Sequence, residues 1–120
     1  MAITDVGLNT IRSLLGSPQP TIPTHMAVGS GTTIFNATDT SLEKENARTS
    51  LTSYDQATSK VVTYIADFSS TAISGLDVSE FGMFNAVSAG SIFNREIIDN
   101  LSFEGDRELQ IQTSFRVSGA

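Results

Sequence analysis

A carboxylate set among apolar residues is either an acid or base with a shifted pKa or the counter-ion of a buried cation, and Glu80 poses that choice. In Val78-Ser79-Glu80-Phe81-Gly82-Met83-Phe84 the alternation of a strand places Glu80 on one face with Val78 and Phe84. Arg95 shares its own face with Phe93 and Ile97. If residues 78–85 and 90–98 form a hairpin around a loop of Ala86, Val87, Ser88 and Ala89, Asn85 pairs with Gly90 and Glu80 falls directly opposite Arg95. A slip by one residue would oppose Glu80 to Glu96, and like charges disfavour it. The expected arrangement is a structural ion pair of Glu80 with Arg95, with Arg48 as a candidate second partner. No second carboxylate or histidine is brought near by the spacing, so no catalytic residue is assigned.

The remaining reactive groups point the same way. His25 is the single histidine, and the chain has no cysteine, which excludes histidine pairs, disulfides, thiolate metal sites and cysteine nucleophiles. Gly29-Ser30-Gly31 lacks the third glycine of a dinucleotide fingerprint and the Gly-Lys-Ser/Thr of a phosphate loop, and reads as a turn. Asp39, Asp67, Asp77, Asp99 and Asp106 lack the dense spacing of a calcium loop and read as turn or cap residues. No metal and no cofactor is expected.

The elements that must position these residues are mostly strands. Thr4 or Asp5 can cap an N-terminal helix, residues 1–16, whose Leu8, Ile11, Leu14 and Leu15 recur at helical spacing before Gly16. That apolar stripe either packs on the chain's own β body or forms an assembly interface with a neighbouring subunit. Residues 17–23 hold all three prolines and read as a stiff connector. The rest, 24–120, reads as one β domain. His25 to Val28 is a short buried strand, and Thr40-x-x-Glu43 has the spacing of a capping box, predicting a short internal helix that ends near Arg48, with Glu45 and Arg48 able to pair. Further strands are expected at 51–54, 60–68, 78–85, 90–98 and 108–117. In the last, Leu109, Ile111, Thr113, Phe115 and Val117 alternate with polar residues, which indicates antiparallel sheets with one wet face. The expected fold class is mainly β, an antiparallel β-sandwich with an N-terminal amphipathic helix and one short internal helix.

Composition agrees with a single folded domain. The chain has 120 residues, 17% of them charged, and a formal net charge of −6. Its seven Lys and Arg are scattered singly, so direct nucleic-acid binding is not expected. The N-terminal residues lack a basic segment followed by an apolar run, and no apolar stretch approaches the ~20 residues of a membrane span, so neither a signal peptide nor membrane insertion is expected.

Taken in order, Thr24-His25-Met26-Ala27-Val28-Gly29-Ser30-Gly31-Thr32-Thr33, then Asp39-Thr40-Ser41-Leu42-Glu43 with Arg48, then Ser79-Glu80-Phe81-Gly82-Met83-Phe84-Asn85 and Arg95, resemble a family of small tail-associated structural proteins of tailed viruses. They are also similar to attachment regions of collar and tail fibres. Met83 stands where that family often has leucine. The resemblance covers nearly the whole chain and implies a non-catalytic virion role as a baseplate, tail-tip or fibre-anchoring component. It implies copies of the chain itself, as a ring or trimer, and other tail proteins as partners, with assembly in the host cytoplasm and a final place in the virion tail. Because the last predicted strand lies close to Ala120, an adaptor or small spike base without its own receptor-binding domain is expected. The alternatives are a head or collar decoration protein and a carbohydrate-binding β-sandwich, for which Tyr54 and Tyr64 would be the phenolic stacking platforms.

Overall fold

The computed structural model describes residues 2–16 and 22–117. Among them one helix precedes seven strands: α1 (Asp5–Gly16), β1 (His25–Gly29), β2 (Glu45–Ser50), β3 (Ser53–Asp55), β4 (Val61–Phe68), β5 (Asp77–Phe84), β6 (Ile92–Ser102) and β7 (Leu109–Arg116). The chain is mainly β, with an antiparallel sheet ordered β2-β1-β5-β6, a second ordered β3-β4-β7, and an N-terminal helix. Residues 17–21, most of the proline-rich connector, lie outside the described residues.

Alternation sets which residues face inward. Along β7, Ile111, Thr113 and Phe115 are buried while Gln110, Gln112 and Ser114 are exposed. The inward residues meet the first sheet in one core, where Ala66, Phe68, Ile111 and Phe115 pack with Met26, Val28, Val78, Met83 and Phe93. Phe115 links the sheets, its ring edge-to-face with Tyr64 (centroids 5.6 Å apart) and with Phe93 (4.9 Å). Such pairs add about 0.5–1.5 kcal/mol each beyond their burial. On the other face of the first sheet, Ala27, Phe84 and Ile92 form a second cluster closed by Leu42, which comes from the long connection 30–44 between β1 and β2. The central strands β1 and β5 are therefore covered on both faces.

The internal helix predicted from Thr40-x-x-Glu43 does not form. Residues 45–50 are β2, paired antiparallel with β1. Its cap groups are used elsewhere. The Glu43 carboxylate accepts the Thr32 and Thr33 N–H groups across the connection (2.8 and 3.2 Å), and the Glu43 and Lys44 N–H groups donate to Glu80 (3.0 and 2.8 Å). Tertiary hydrogen bonds have taken the donors and the acceptor on which a capping box depends. The expected Glu45–Arg48 pair is present at 2.7 Å, though on a strand. A bulge at Val28/Gly29 leaves Asn46 as the extra residue of β2, which reverses the alternation and brings side chains three apart to one side.

Helix α1 is anchored by its first turn. Thr4 Oγ1 accepts the Gly7 N–H (2.9 Å) as an N-cap and donates to the Ile92 carbonyl (3.0 Å), while Thr4 N–H donates to the Phe93 carbonyl (3.2 Å). Ile3 bridges Asn94 antiparallel, and Arg95 N–H donates to the Ala2 carbonyl (3.0 Å), so residues 2–4 cover the start of the β6 edge. Gly7 lies so close to the Phe93 carbonyl that any β-carbon there would overlap it. Beyond that turn the apolar stripe is only partly covered: Leu8 is 53% exposed, Ile11 37%, Leu14 40% and Leu15 88%. No described helix is long and apolar enough to cross a membrane.

Thr4→Ala removes the cap and the hydroxyl's bond to the Ile92 carbonyl together, while the backbone bond to Phe93 stays. We expect a loss of about 1–2 kcal/mol, read as a lower urea midpoint with an unchanged m-value.

Candidate functional site

Glu80 lies on β5 with no exposed surface, and its side chain faces the connection 30–44. A carboxylate buried without partners would be strongly unfavourable. Here each oxygen takes two donors. Oε1 accepts Arg95 Nε (2.9 Å) and Glu43 N–H (3.0 Å), and Oε2 accepts Gly31 N–H (2.7 Å) and Lys44 N–H (2.8 Å). All four acceptor directions of the carboxylate are filled, which leaves none for a substrate proton. Ser79 Oγ adds a bond to the Gly31 carbonyl (2.8 Å), so β5 grips both ends of the connection.

This explains the glycines of Gly29-Ser30-Gly31. A β-carbon on Gly31 would overlap Glu80 Oε2 and the Glu43 side chain, and one on Gly29 would overlap the Lys44 carbonyl and Oε2. Glycine stands there because a carboxylate and a backbone approach from both sides. Sequence reasoning read the pair as a turn and did not connect it to Glu80.

Glu80 and Arg95 meet, but not by direct opposition. In the ladder Glu80 faces Ile97 and Arg95 faces Gly82, so the ion pair is diagonal. The hairpin loop is longer than the four residues expected. Asn85 Oδ1 accepts Ser91 N–H (2.8 Å), Ala89 and Gly90 take positive φ (52° and 77°), and a bulge at Met83/Phe84 shifts the register. A second bulge, at Val78/Glu80, sends Val78 into the main core while Glu80 meets the connection, so the two do not share a face as expected.

Arg48 is not a partner of Glu80. Its guanidinium bonds Glu45, donates to the Ala86 and Ala89 carbonyls (2.9 Å each) and lies 3.8 Å from the Phe84 ring centroid. It thereby ties β2 to the β5–β6 loop. The second carboxylate on Arg95 is Asp39, whose Oδ2 accepts Nη1 (3.1 Å). Asp39 also accepts the Asn36 N–H (3.0 Å), which closes a small turn within the connection. Its role had no signal beyond its place in the resembling segment 39–43.

Arg95 is 2% exposed, and its Nη2 has no hydrogen-bond partner among the described residues. Beside it lies a cavity of about 310 Å³ lined by Thr33, Thr38, Thr40 and Ser41 together with Asp39 and Glu43. Three carboxylates, Glu80, Asp39 and Glu43, surround the one guanidinium, so the site repels an anion. Among the described residues no group of three or more His, Asp or Glu is placed to hold a metal ion. His25 Nδ1 is hydrogen-bonded to Thr24 Oγ1 (2.9 Å).

Burial pushes the Glu80 carboxyl up, but hydrogen bonds from Arg95 and from the Lys44, Glu43 and Gly31 N–H groups outweigh it and hold the group below its ordinary 4.5. For Arg95, burial acts downward and is outweighed by Glu80 and Asp39, so its pKa is raised. Glu43 is lowered by the Thr33 hydroxyl and by the Thr33 and Thr32 N–H groups.

No protein-family model matches this chain, and no curated protein matches it. The function is therefore argued from the geometry.

A carboxyl whose folded pKa is depressed stabilises the fold fully above its unfolded pKa and loses that contribution as pH falls through the folded value. Urea midpoints should accordingly decline below the ordinary value of 4.5, with Glu43 contributing in the same direction. In Glu80→Gln the decline should be shallower. At pH 7 that variant should be less stable by about 3–5 kcal/mol, since Arg95 keeps its buried charge without a full counter-charge on residue 80, and an amide NH2 set at the Oε2 position cannot accept the Gly31 and Lys44 N–H groups. Gly31→Ala should lower stability at pH 7 by about 1–3 kcal/mol, read as a lower urea midpoint, and because its β-carbon pushes Glu80 Oε2 off its donors the acid decline should be shallower as well.

Proposed function

We propose that this chain is a virion structural protein of a tailed virus, a tail baseplate or fibre-anchoring adaptor with no catalytic role. In this reading the two sheets close as a β-sandwich that serves as a rigid body. Copies assemble through repeated contacts as a ring or trimer about the tail axis, with other tail proteins as further partners. Assembly takes place in the host cytoplasm and the protein resides in the virion tail.

The observation that carries the reading is the N-terminal helix. It is fastened to β6 by Thr4 and Gly7, yet it presents Leu8, Ile11, Leu14 and Leu15 to solvent, Leu15 being 88% exposed. A contiguous apolar stripe on a small acidic protein is a surface for another protein. The buried ion pair supports the same reading. Glu80 has every acceptor direction filled and braces a connection, as a load-resisting body requires. Of the sequence segments that resemble tail-associated proteins, 24–33, 39–43 and 79–85 with Arg95 meet around this carboxylate, whereas Arg48 lies apart, on Glu45 and the β5–β6 loop. Tyr54 fits a sugar platform less well, because its hydroxyl donates to the Pro23 carbonyl (2.9 Å) and its ring meets Tyr64 edge-on.

Replacing Ile11 and Leu15 together by Asp should leave a native circular-dichroism spectrum and abolish incorporation into tailed particles. Normal incorporation of that variant would remove the helix from assembly. Density for the chain on the head or collar of intact particles would replace the tail reading with a decoration role.

A further inference from the structure

Open sheets carry unpaired backbone at their edges, and three of the four edges here are closed off by familiar means. Strand β2 has six residues, is bulged against β1, and carries Glu45 and Arg48. Strand β3 has three residues. Strand β6 is bulged twice against β5, is bridged near its start by Ile3, and bears Glu96 and Asp99. Strand β7 differs. It runs eight residues in unbroken register with β4, contains no proline, lysine or carboxylate, and has no strand on its other side among the described residues.

Its hydrogen-bonding phase can be read directly. Val117 N–H donates to the Lys60 carbonyl (2.7 Å), so alternation along the ladder turns the backbone groups of Leu109, Ile111, Thr113 and Phe115 toward β4. Gln110, Gln112, Ser114 and Arg116 turn theirs outward. Their side chains are exposed as well. Immediately before the strand stands Glu108, also exposed, and among the described residues neither Glu108 nor Arg116 takes part in an ion pair.

We propose that β7 is a two-fold docking edge for a second copy of this chain, pairing antiparallel with Gln112 opposite Gln112. The occupant follows from charge complementarity. With Gln112 on the axis, Gln110 meets Ser114 and Arg116 of each copy meets Glu108 of the other on the exposed face, while Ile111 meets Thr113 and Leu109 meets Phe115 on the core side. The edge is thus complementary to itself, as a two-fold contact requires, with an ion pair at each end and no like charges opposed. The three-stranded sheets of the two copies join into one continuous sheet. This interface goes beyond the virion reading and does not depend on it. Combined with a closed ring it would pair subunits across a perpendicular axis.

The test uses the whole chain in sedimentation equilibrium and cross-linking. We expect a monomer–dimer equilibrium in which dimer is present by about 100 μM protein, with Arg116→Glu or Glu108→Arg alone raising its Kd at least about tenfold and the double exchange restoring it. Because the chain has no cysteine, Gln112→Cys should give a disulfide-linked dimer under oxidising conditions, while Gln110→Cys, displaced from its own symmetry mate, should not. A wild-type chain that stays monomeric throughout overturns the proposal and leaves the edge for a strand of another protein. Cross-linking through Gln110→Cys but not Gln112→Cys, or failure of the double exchange to restore dimerisation, overturns it equally.

Discussion

A carboxylate can be buried only where donors replace the water it gives up, and the Glu80 carboxylate decides how one half of this molecule is built. Its four donors come from three distant stretches of chain: Gly31 just after β1, Glu43 and Lys44 just before β2, and Arg95 on β6. Those bonds bring the two ends of the connection 30–44 together over the face of the first sheet. Leu42 then closes the second apolar cluster, and Asp39 completes the partners of Arg95. Glycine at 29 and 31 follows from the space the carboxylate needs. Three bonds from backbone N–H groups also make the pair more than an ion pair. A hydrophobic replacement of Glu80 and Arg95 would leave those amides unsatisfied, so the usual neutrality of such swaps would not hold here.

The rest of the molecule divides into braced and unbraced parts. The central strands of the first sheet are covered on both faces, and its edges are bulged, charged or bridged. Among the described residues the helix beyond its first turn is only partly covered, and the outer edge of β7 has no strand beside it. In the proposed assembly both unbraced features serve as surfaces of association, one apolar and one made of backbone donors and acceptors. A body braced by Glu80 would present them at fixed angles, as the repeated contacts proposed for it require.

How much of this was legible in the sequence depends on the range of the interaction. The helix from Asp5 to Gly16, the buried strand at His25, the strong strand ending at Phe68 and the alternation of β7 all follow from local periodicity, and each is present. The short internal helix failed because a local cap signal at Thr40 and Glu43 lost to hydrogen bonds with Glu80 and with residues 32 and 33, which no local pattern reveals. Glu80 and Arg95 could be paired from the hairpin, yet the register could not, since bulges and the positive φ of Ala89 leave little trace in residue types. Gly29 and Gly31 carried a visible signal with two readings, a turn or a close approach. The second became clear only once Glu80 lay against them.

Native-state hydrogen exchange at the Gly31, Glu43 and Lys44 amides tests the central role of Glu80 most directly. If the carboxylate binds the connection into the cooperative core, these three amides open with the same free energy as the β1–β5 ladder, because they exchange only when the sheet unfolds. Exchange of all three near the unprotected rate, while the β1–β5 amides stay protected, would contradict the account.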